Sequence, residues 1–312
     1  MRAVTIRDEQ IVVEEHPDPQ PQAGEVLVRV RAAGVNGADL LQLRGRYPPP
    51  AGAPADIPGL EFAGEVEACG PGVQRFEPGD RVMAVVAGGG QAERITVHER
   101  LVLPVPDELD WEAAGGVPEV FTTAHDALFT QGRLAMGERL LVHGAAGGVG
   151  SAAVQLGQMA GARVTATVRD DHSREQIAAL AVKAIGTEGF EDHGPFDVIL
   201  ELVGAPNFAA NLAALAERGR ICTIGIGAGA KAELNLQLLM AKRGSIMGST
   251  LRARSLEDKA VAARLVERMV LPGFASGDLS VPVAATYPLD QAAEAYERFQ
   301  AGGKLGKVVL TL

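Results

Sequence analysis

The sequence predicts an α/β protein of two parts: a β-rich, barrel-like domain and a doubly wound parallel sheet. Three observations predict it. The first third of the chain reads as short strands broken by Gly/Pro turns. From residue 139 strands and helices alternate, and residues 307–312 form a strand again. That last strand has no obvious βαβ partner, so the C-terminus is expected to return to the first domain and make it discontinuous. The expected division is residues 1–116 and 270–312 for the β-rich domain and 117–269 for the parallel-sheet domain.

Glu25–Arg31 alternates apolar and polar residues, the period of a half-buried strand, after the Pro-rich stretch Pro17–Pro21. Further strands are expected at Phe62–Ala68, Arg81–Val86 and Glu93–Val97, separated by Gly70-Pro71-Gly72 and Pro78-Gly79-Asp80. Gly88-Gly89-Gly90 is read as a turn, because no helical pattern follows it. Asp110 is placed to cap a short helix from Trp111, and residues 119–130 look helical. Then come strand Arg139–His143, helix Gly148–Ala160, strand Arg163–Val168 and helix Arg174–Ala181. Strand Asp197–Leu202, helix Asn207–Glu217 and strand Arg220–Ile224 continue the rhythm, which implies a parallel sheet with helices on both faces. Near the end Asp290 is expected to cap a helix with Ala293, Tyr296 and Phe299 on one face, stopped by Gly302-Gly303.

Composition bounds the function. The chain has 312 residues, a length suited to two domains of roughly 100–200 residues each. A formal charge of −10 argues against nucleic acid as the main partner, since phosphate binding needs clustered Lys and Arg. No apolar run is long enough to predict a transmembrane helix, and the N-terminus lacks a secretory h-region. A cytoplasmic location, away from membranes, is the expectation. Cys69 and Cys222 stand far apart with no His or Cys at ligand spacing, so both are read as small buried residues rather than metal ligands.

His143-Gly144-Ala145-Ala146-Gly147-Gly148-Val149-Gly150 lies between a strand and an amphipathic helix, the context of a dinucleotide-binding loop. Aligned on the helix start it reads Ala145-x-Gly147-x-x-Gly150. Gly147 allows the backbone to approach a pyrophosphate, Gly150 allows close helix–sheet packing, and the amides at the helix start attract phosphate. Ala145 stands where the tight turn usually has glycine, and is tolerable if its φ stays negative. At the tip of the next strand Val168 holds the place where an NAD site has Asp or Glu, and Arg169 follows. Arg169, with Arg174, suits a 2′-phosphate, so NADPH is expected as cofactor. Asp170 and Asp171 oppose this unless they point away; the other reading is a solvated charged turn.

These features converge on a resemblance. The chain resembles, over essentially its whole length, the zinc-independent quinone oxidoreductases of the medium-chain dehydrogenase/reductase superfamily. The similarity rests on Ala32-Ala33-Gly34-Val35-Asn36-Gly37-Ala38-Asp39, Arg44–Pro50, Pro58-Gly59-Leu60-Glu61-Phe62-Ala63-Gly64, Pro78–Val82, the loop at 143–150 and Gly306–Leu310. Gly88–Ala92, Pro118-Glu119 and Ser249-Thr250-Leu251-Arg252-Ala253-Arg254-Ser255 look most like the tumour-suppressor-induced branch. The resemblance implies a GroES-like catalytic domain, an inserted Rossmann domain with a cleft between them, NADPH and a homodimer. Zinc-dependent relatives carry a Cys near the position of Asn36 or Gly37, a His just before Glu61 and a four-Cys lobe; this chain has none of these.

By the same resemblance Asn36, Asp39 and Tyr47 fall beside the nicotinamide, and Thr123 falls near it and the phosphates. Tyr47 would stack on a flat acceptor or donate its O–H to a carbonyl, or else pack on the rim beside Pro48-Pro49-Pro50. Asn36 would hydrogen-bond cofactor or acceptor, or serve as a turn residue. Asp39 would instead cap the helix Leu40–Leu43, and Thr123 would be a helix-interior residue. Leu202, Ile224, Gly225, Ile226 and Leu251 match positions that frame the nicotinamide, with Gly148 and Val149 in the phosphate loop. Lys307 would close over the cofactor or lie at the surface. The function implied is zinc-independent hydride transfer from NADPH to a quinone, or another electron-poor carbonyl acceptor, in the interdomain cleft. Two other readings are a reductase of activated C=C bonds in enals or enones, and a weakly catalytic NADPH-binding redox sensor.

Overall fold

A computed structural model describes residues 1–312. The chain divides into two compact units: residues 1–122, 251–302 and 306–312 form the first, and residues 123–250 with 303–305 the second.

The first unit opens with an antiparallel pair, β1 (Arg2–Arg7) and β2 (Gln10–Glu15). β3 (Glu25–Val35) is longer than its alternating stretch, and the reason is burial on both faces. Beyond Arg31 the residues Ala32-Ala33-Gly34-Val35 are all buried, so the polar half of the alternation disappears where β15 pairs with them. After α1 (Gly37–Leu43) come β4 (Glu61–Cys69), β5 (Arg81–Val85), β6 (Arg94–His98), β7 (Val102–Pro104) and α2 (Trp111–Ala114). The Asp110 carboxylate accepts from Ala113 N–H at 2.8 Å and caps α2 as expected. Val26, Val28, Val30, Phe62, Val66 and Val82 fill the core these strands enclose. Cys69, expected inside, is exposed at the outer end of β4.

α3 (Pro118–His125) widens into a π-helical turn over Asp126–Gln131. In the second unit β8 (Arg139–Val142), α4 (Gly148–Met159), β9 (Arg163–Thr167), α5 (Asp171–Ala178) and β10 (Lys183–Ile185) are followed by β11 (Phe196–Glu201), α6 (Phe208–Ala214), β12 (Leu215–Thr223), α7 (Leu236–Lys242) and β13 (Ser245–Gly248). All six strands are parallel, in the order β10-β9-β8-β11-β12-β13. Counted within the sheet this is the doubly wound order, which reverses between its first and fourth strands, β8 and β11. A ligand crevice is expected outside the carboxyl ends of those two strands. α5 begins three residues before the expected Arg174, because Asp170 caps it, accepting from Ser173 N–H and Oγ at 2.8 and 2.9 Å. α6 stops at Ala214, short of Glu217, since Leu215 already pairs with Phe196 in the sheet.

The chain then returns to the first unit through α8 (Leu256–Met269), α9 (Leu271–Ala275), β14 (Val283–Pro288), α10 (Ala292–Ala301) and β15 (Lys307–Thr311). Residues 251–269, placed by sequence with the parallel sheet, belong to the first unit, where α8 packs on β7 and residues 99–101. β15 does have a parallel partner: β14, with α10 as the crossover helix. It also pairs antiparallel with β3. α10 buries Ala292, Ala295 and Tyr296 rather than Ala293, and Asp290 does not cap it. A 3₁₀ turn, Leu289–Gln291, precedes the helix, and the Asp290 carboxylate pairs with Arg2 at 3.0 Å.

Candidate active-site residues

β8 ends in apolar residues buried by both layers, and the chain turns sharply after it. Gly144 takes the left-handed conformation, φ +62°, that the tight turn demands. Ala145 therefore keeps a negative φ, is fully buried, and donates its N–H to Thr167 O at 3.1 Å. The turn glycine has moved one position earlier, so the alanine removes nothing. Gly147 is extended and caps the start of α4; the first intrahelical bond runs from Ser151 N–H to Gly147 O at 2.8 Å. The amides before it, at Gly148, Val149 and Gly150, carry no intrahelical bond and form the positive end of the helix. A methyl on Gly150 would lie 2.4 Å from Gly144 O, so only glycine fits there. A methyl on Gly147 would meet nothing closer than 3.4 Å, so the protein itself leaves that side open.

The tip of β9 answers the question of charge. Val168 is buried and donates to Ile185 O. Asp170 is turned into the α5 cap, and Asp171 pairs with Arg174 at 3.0 Å. Arg169 is exposed and makes no hydrogen bond or ion pair. At the ends of β11 and β12, Ile224 and Gly225 donate to Glu201 O at 2.9 and 3.1 Å. A methyl on Gly225 would sit 2.1 Å from Leu202 O. Ile226 stands 49% exposed beside them, and Leu202 is half-buried.

Behind this loop lies a buried network that sequence reasoning missed. The Glu201 carboxylate accepts from Val203 N–H, Gly204 N–H and Asn211 Nδ2 at 2.6, 2.8 and 2.7 Å. Since the Asn211 amide nitrogen donates to Glu201, its oxygen faces His143 Nε2 at 2.7 Å and must accept. His143 Nδ1 then accepts from Thr167 Oγ1 at 2.9 Å. Burial holds the imidazole below its ordinary pKa, against the pull of the Glu201 charge, and so keeps it neutral. The network ties together the ends of β8, β9 and β11. Its sequence signal was a strand of apolar residues ending in Glu201, whose carboxyl is fully buried.

The candidate catalytic residues of the first unit fall into two groups. Asn36, Asp39, Glu61 and Lys307 are buried together where α1 starts. Lys307 Nζ donates to Asn36 Oδ1 and Glu61 Oε1, each at 2.6 Å, and to Val35 O at 3.3 Å. Asn36 Nδ2 donates to the same Glu61 oxygen at 3.0 Å, and Glu119 N–H to the other at 2.8 Å. Gly34 admits this carboxylate: a methyl there would lie 2.2 Å from Glu61 Oε1. Lys307 is thus neither a surface lysine nor a lid over a cofactor; all three of its protons are used inside the unit. Asp39 sits at the third position of α1 rather than its cap, accepting from Asn36 N–H at 2.9 Å and Gly59 N–H at 3.3 Å. Burial pushes its carboxyl up to about 6, against those amides and the Lys307 charge. Gln91 bridges this group to the buried Tyr296, whose O–H donates to Gln91 Oε1 at 2.8 Å.

Tyr47 stands apart, half-buried, with its hydroxyl making no hydrogen bond. Burial raises its phenol above the ordinary value, so the hydroxyl keeps its proton at neutral pH. Leu251 lies with Val85, Leu101, Leu103 and Thr122. Thr123 is buried within α3, in the second unit. No group of three His, Cys, Asp or Glu side chains is gathered that could hold a metal ion. Where a zinc would sit by resemblance, the donors are Asn36 and Glu61 and a lysine ammonium already stands between them. These residues do not fit zinc.

Comparison with known proteins agrees with the fold. Residues 22–107 match the alcohol dehydrogenase GroES-like domain, and residues 178–310 match the zinc-binding dehydrogenase domain. Quinone oxidoreductase of Rattus norvegicus is 33% identical over 310 residues, covering 94% of this chain and 91% of that protein. The structure of mycobacterial Rv1454c complexed with NADPH superimposes with a TM-score of 0.90 at 27% identity, over 100% of both chains. Quinone oxidoreductase of Pseudomonas syringae pv. Tomato DC3000 gives 0.89 at 26% identity, over 100% of this chain and 99% of that one. On sequence, fold and motif alike, the chain belongs to the quinone oxidoreductase family of the medium-chain dehydrogenase/reductase superfamily.

Proposed function

We propose that this enzyme is an NADPH-dependent quinone oxidoreductase that works without zinc. The observation that carries the reading is Arg169, an unpaired guanidinium at the tip of β9 whose acidic neighbours are both engaged elsewhere. The open side of Gly147 and the amides of Gly148, Val149 and Gly150 suit the pyrophosphate, and Arg169 suits the 2′-phosphate. Bound NADPH supplies a hydride to the acceptor. Among the candidate residues, Asn36 and Asp39 are held by the buried Glu61–Lys307 and backbone bonds and shape the site. Tyr47 keeps a free hydroxyl and is proposed to give the proton the reduced acceptor needs. The absence of a metal-ligand group and the Lys307 ammonium support zinc-free chemistry, as do the names of the relatives for the quinone.

Steady-state NADPH oxidation with a panel of quinones tests this reading. Turnover with at least one quinone, favouring NADPH over NADH, is expected; tight NADPH binding with no turnover on any acceptor would replace it with a sensor role. The free Tyr47 hydroxyl also favours a second reading, reduction of enals or enones, where a proton must reach the α-carbon. The ratio of kcat/KM for enones and quinones decides between the two. A homodimer and a cytoplasmic location belong to the same proposal. The dimer is supported by β13, an open edge of the parallel sheet, and by exposed Leu236 and Met240 on the helix before it.

A further inference from the structure

Beside Leu251, the segment Ser249–Ser255 carries a residue placed unlike a surface arginine. Arg252 is 5% exposed. Its Nε donates to Ala87 O at 2.7 Å, Nη1 to Tyr47 O at 2.8 Å and Nη2 to Gln42 Oε1 at 2.5 Å. The guanidinium carbon lies 5.0 Å from the centre of the Tyr47 ring. Its partners are a tyrosine ring, two backbone carbonyls and the Gln42 amide oxygen, none of them a carboxylate. One side chain thereby fastens the end of α1, the loop carrying Tyr47 and the loop after β5. A cation on an aromatic face restrains the ring and favours the charge that develops when the phenol releases its proton.

We infer that Arg252 is the positioning residue that makes Tyr47 the proton donor to the reduced acceptor. The inference rests on the proposed reductase reading. Once a hydride has reached the acceptor, a negative charge remains on its oxygen, or as an enolate when the acceptor is an enone. The Tyr47 O–H bond breaks, the proton forms a new O–H or α-C–H bond, and water returns a proton to the phenolate. Two groups act on the Tyr47 charge: Arg252 stabilises it, and the Glu119 carboxylate opposes it. Burial lowers the Arg252 pKa against the pull of Tyr47 and Asp39, and burial, with the Arg252 charge, holds the Lys259 ammonium below the ordinary lysine pKa. Removing the guanidinium leaves burial and Glu119 to act alone, and the donor becomes a weaker acid.

The test compares Arg252→Met, Arg252→Lys and Tyr47→Phe in the full-length enzyme. Phenolate absorbance against pH follows Tyr47, with Tyr47→Phe identifying its band among the three tyrosines. In Arg252→Met the Tyr47 transition is expected to move to higher pH. NADPH affinity should stay within about 2-fold, while kcat/KM for the acceptor falls about 10-fold or more. In the Tyr47→Phe background the same substitution should cost little more, because both act on one proton. Arg252→Lys keeps the charge without the fork and should recover part of the Tyr47 shift; if Arg252→Met does not fold, this variant decides by the same readouts. An unmoved Tyr47 transition, or an equal loss of kcat/KM with Tyr47 already removed, would overturn the inference. If the wild type reduces no acceptor, the reductase reading falls, and the Tyr47 titration still decides what Arg252 does.

Discussion

Arg169 is the residue on which the proposed cofactor preference turns, and it was legible without a structure. What the sequence left open was whether Asp170 and Asp171 would neutralise it; in the structure Asp170 is held in the α5 cap and Asp171 pairs with Arg174. Arg169→Ala is expected to weaken NADPH binding about 10-fold and to leave NADH nearly unchanged, by titration of each nucleotide. Equal losses for both would remove the 2′-phosphate role. Asp39 is a different kind of residue, visible in a motif but given its properties by burial. Its folded-state carboxyl, at about 6, lies above the unfolded value of 3.8. The native protein therefore holds a proton that the unfolded chain has lost, and the stability from Asp39 falls as pH rises from about 4 to about 6. That swing is about 3 kcal/mol. Urea unfolding of wild type and Asp39→Asn across this range should show the wild-type advantage shrinking by about that amount; a constant difference would contradict it. Lys307 shows the limit of reading one residue at a time. In Gly306-Lys307-Val308-Val309-Leu310 a lysine looks solvated, and nothing nearby in sequence announces Asn36 and Glu61, brought to it by strand pairing.

At the scale of elements, the β8–loop–α4 unit was readable because its constraints are local. A strand period, a glycine at the closest helix–loop approach and an apolar helix face all lie within some twenty residues. The two glycines separate packing from binding. Gly150→Ala is expected to lower the melting temperature by several degrees and to abolish nucleotide binding, since its methyl meets Gly144 O. Gly147→Ala should leave the melting temperature nearly unchanged and weaken NADPH about 10-fold, since its methyl intrudes only where the ligand would come. Thermal melts with nucleotide titrations check both; similar melting losses in the two would show the loop glycines to be structural alone. Other elements were hidden. β14 is an alanine-containing edge strand with no buried run to mark it, and without it β15 seemed to lack a parallel partner. α8, which Ser255 caps by accepting from Asp258 N–H, was not read from the sequence at all, and its domain is decided by packing.

For the molecule as a whole, the open edge at β13 bears on assembly. An unpaired parallel-sheet edge beside exposed Leu236 and Met240 invites a second copy. Sedimentation is expected to show a dimer, and the double variant Leu236→Glu/Met240→Glu a monomer; a monomeric wild type would contradict the proposed homodimer. By itself the sequence determined the two-part α/β architecture and placed the glycine loop after β8 and the arginine after β9. Each of these is written in a local period or in the identity of residues at short spacing. The tertiary structure alone decided the allegiance of residues 251–269, the burial of Lys307 between Asn36 and Glu61, the His143–Asn211–Glu201 support and the seat of Arg252 on Tyr47. Those depend on which distant segments share a buried space. There an unpaired charge is costly enough that its partner, wherever it lies along the chain, becomes part of the site.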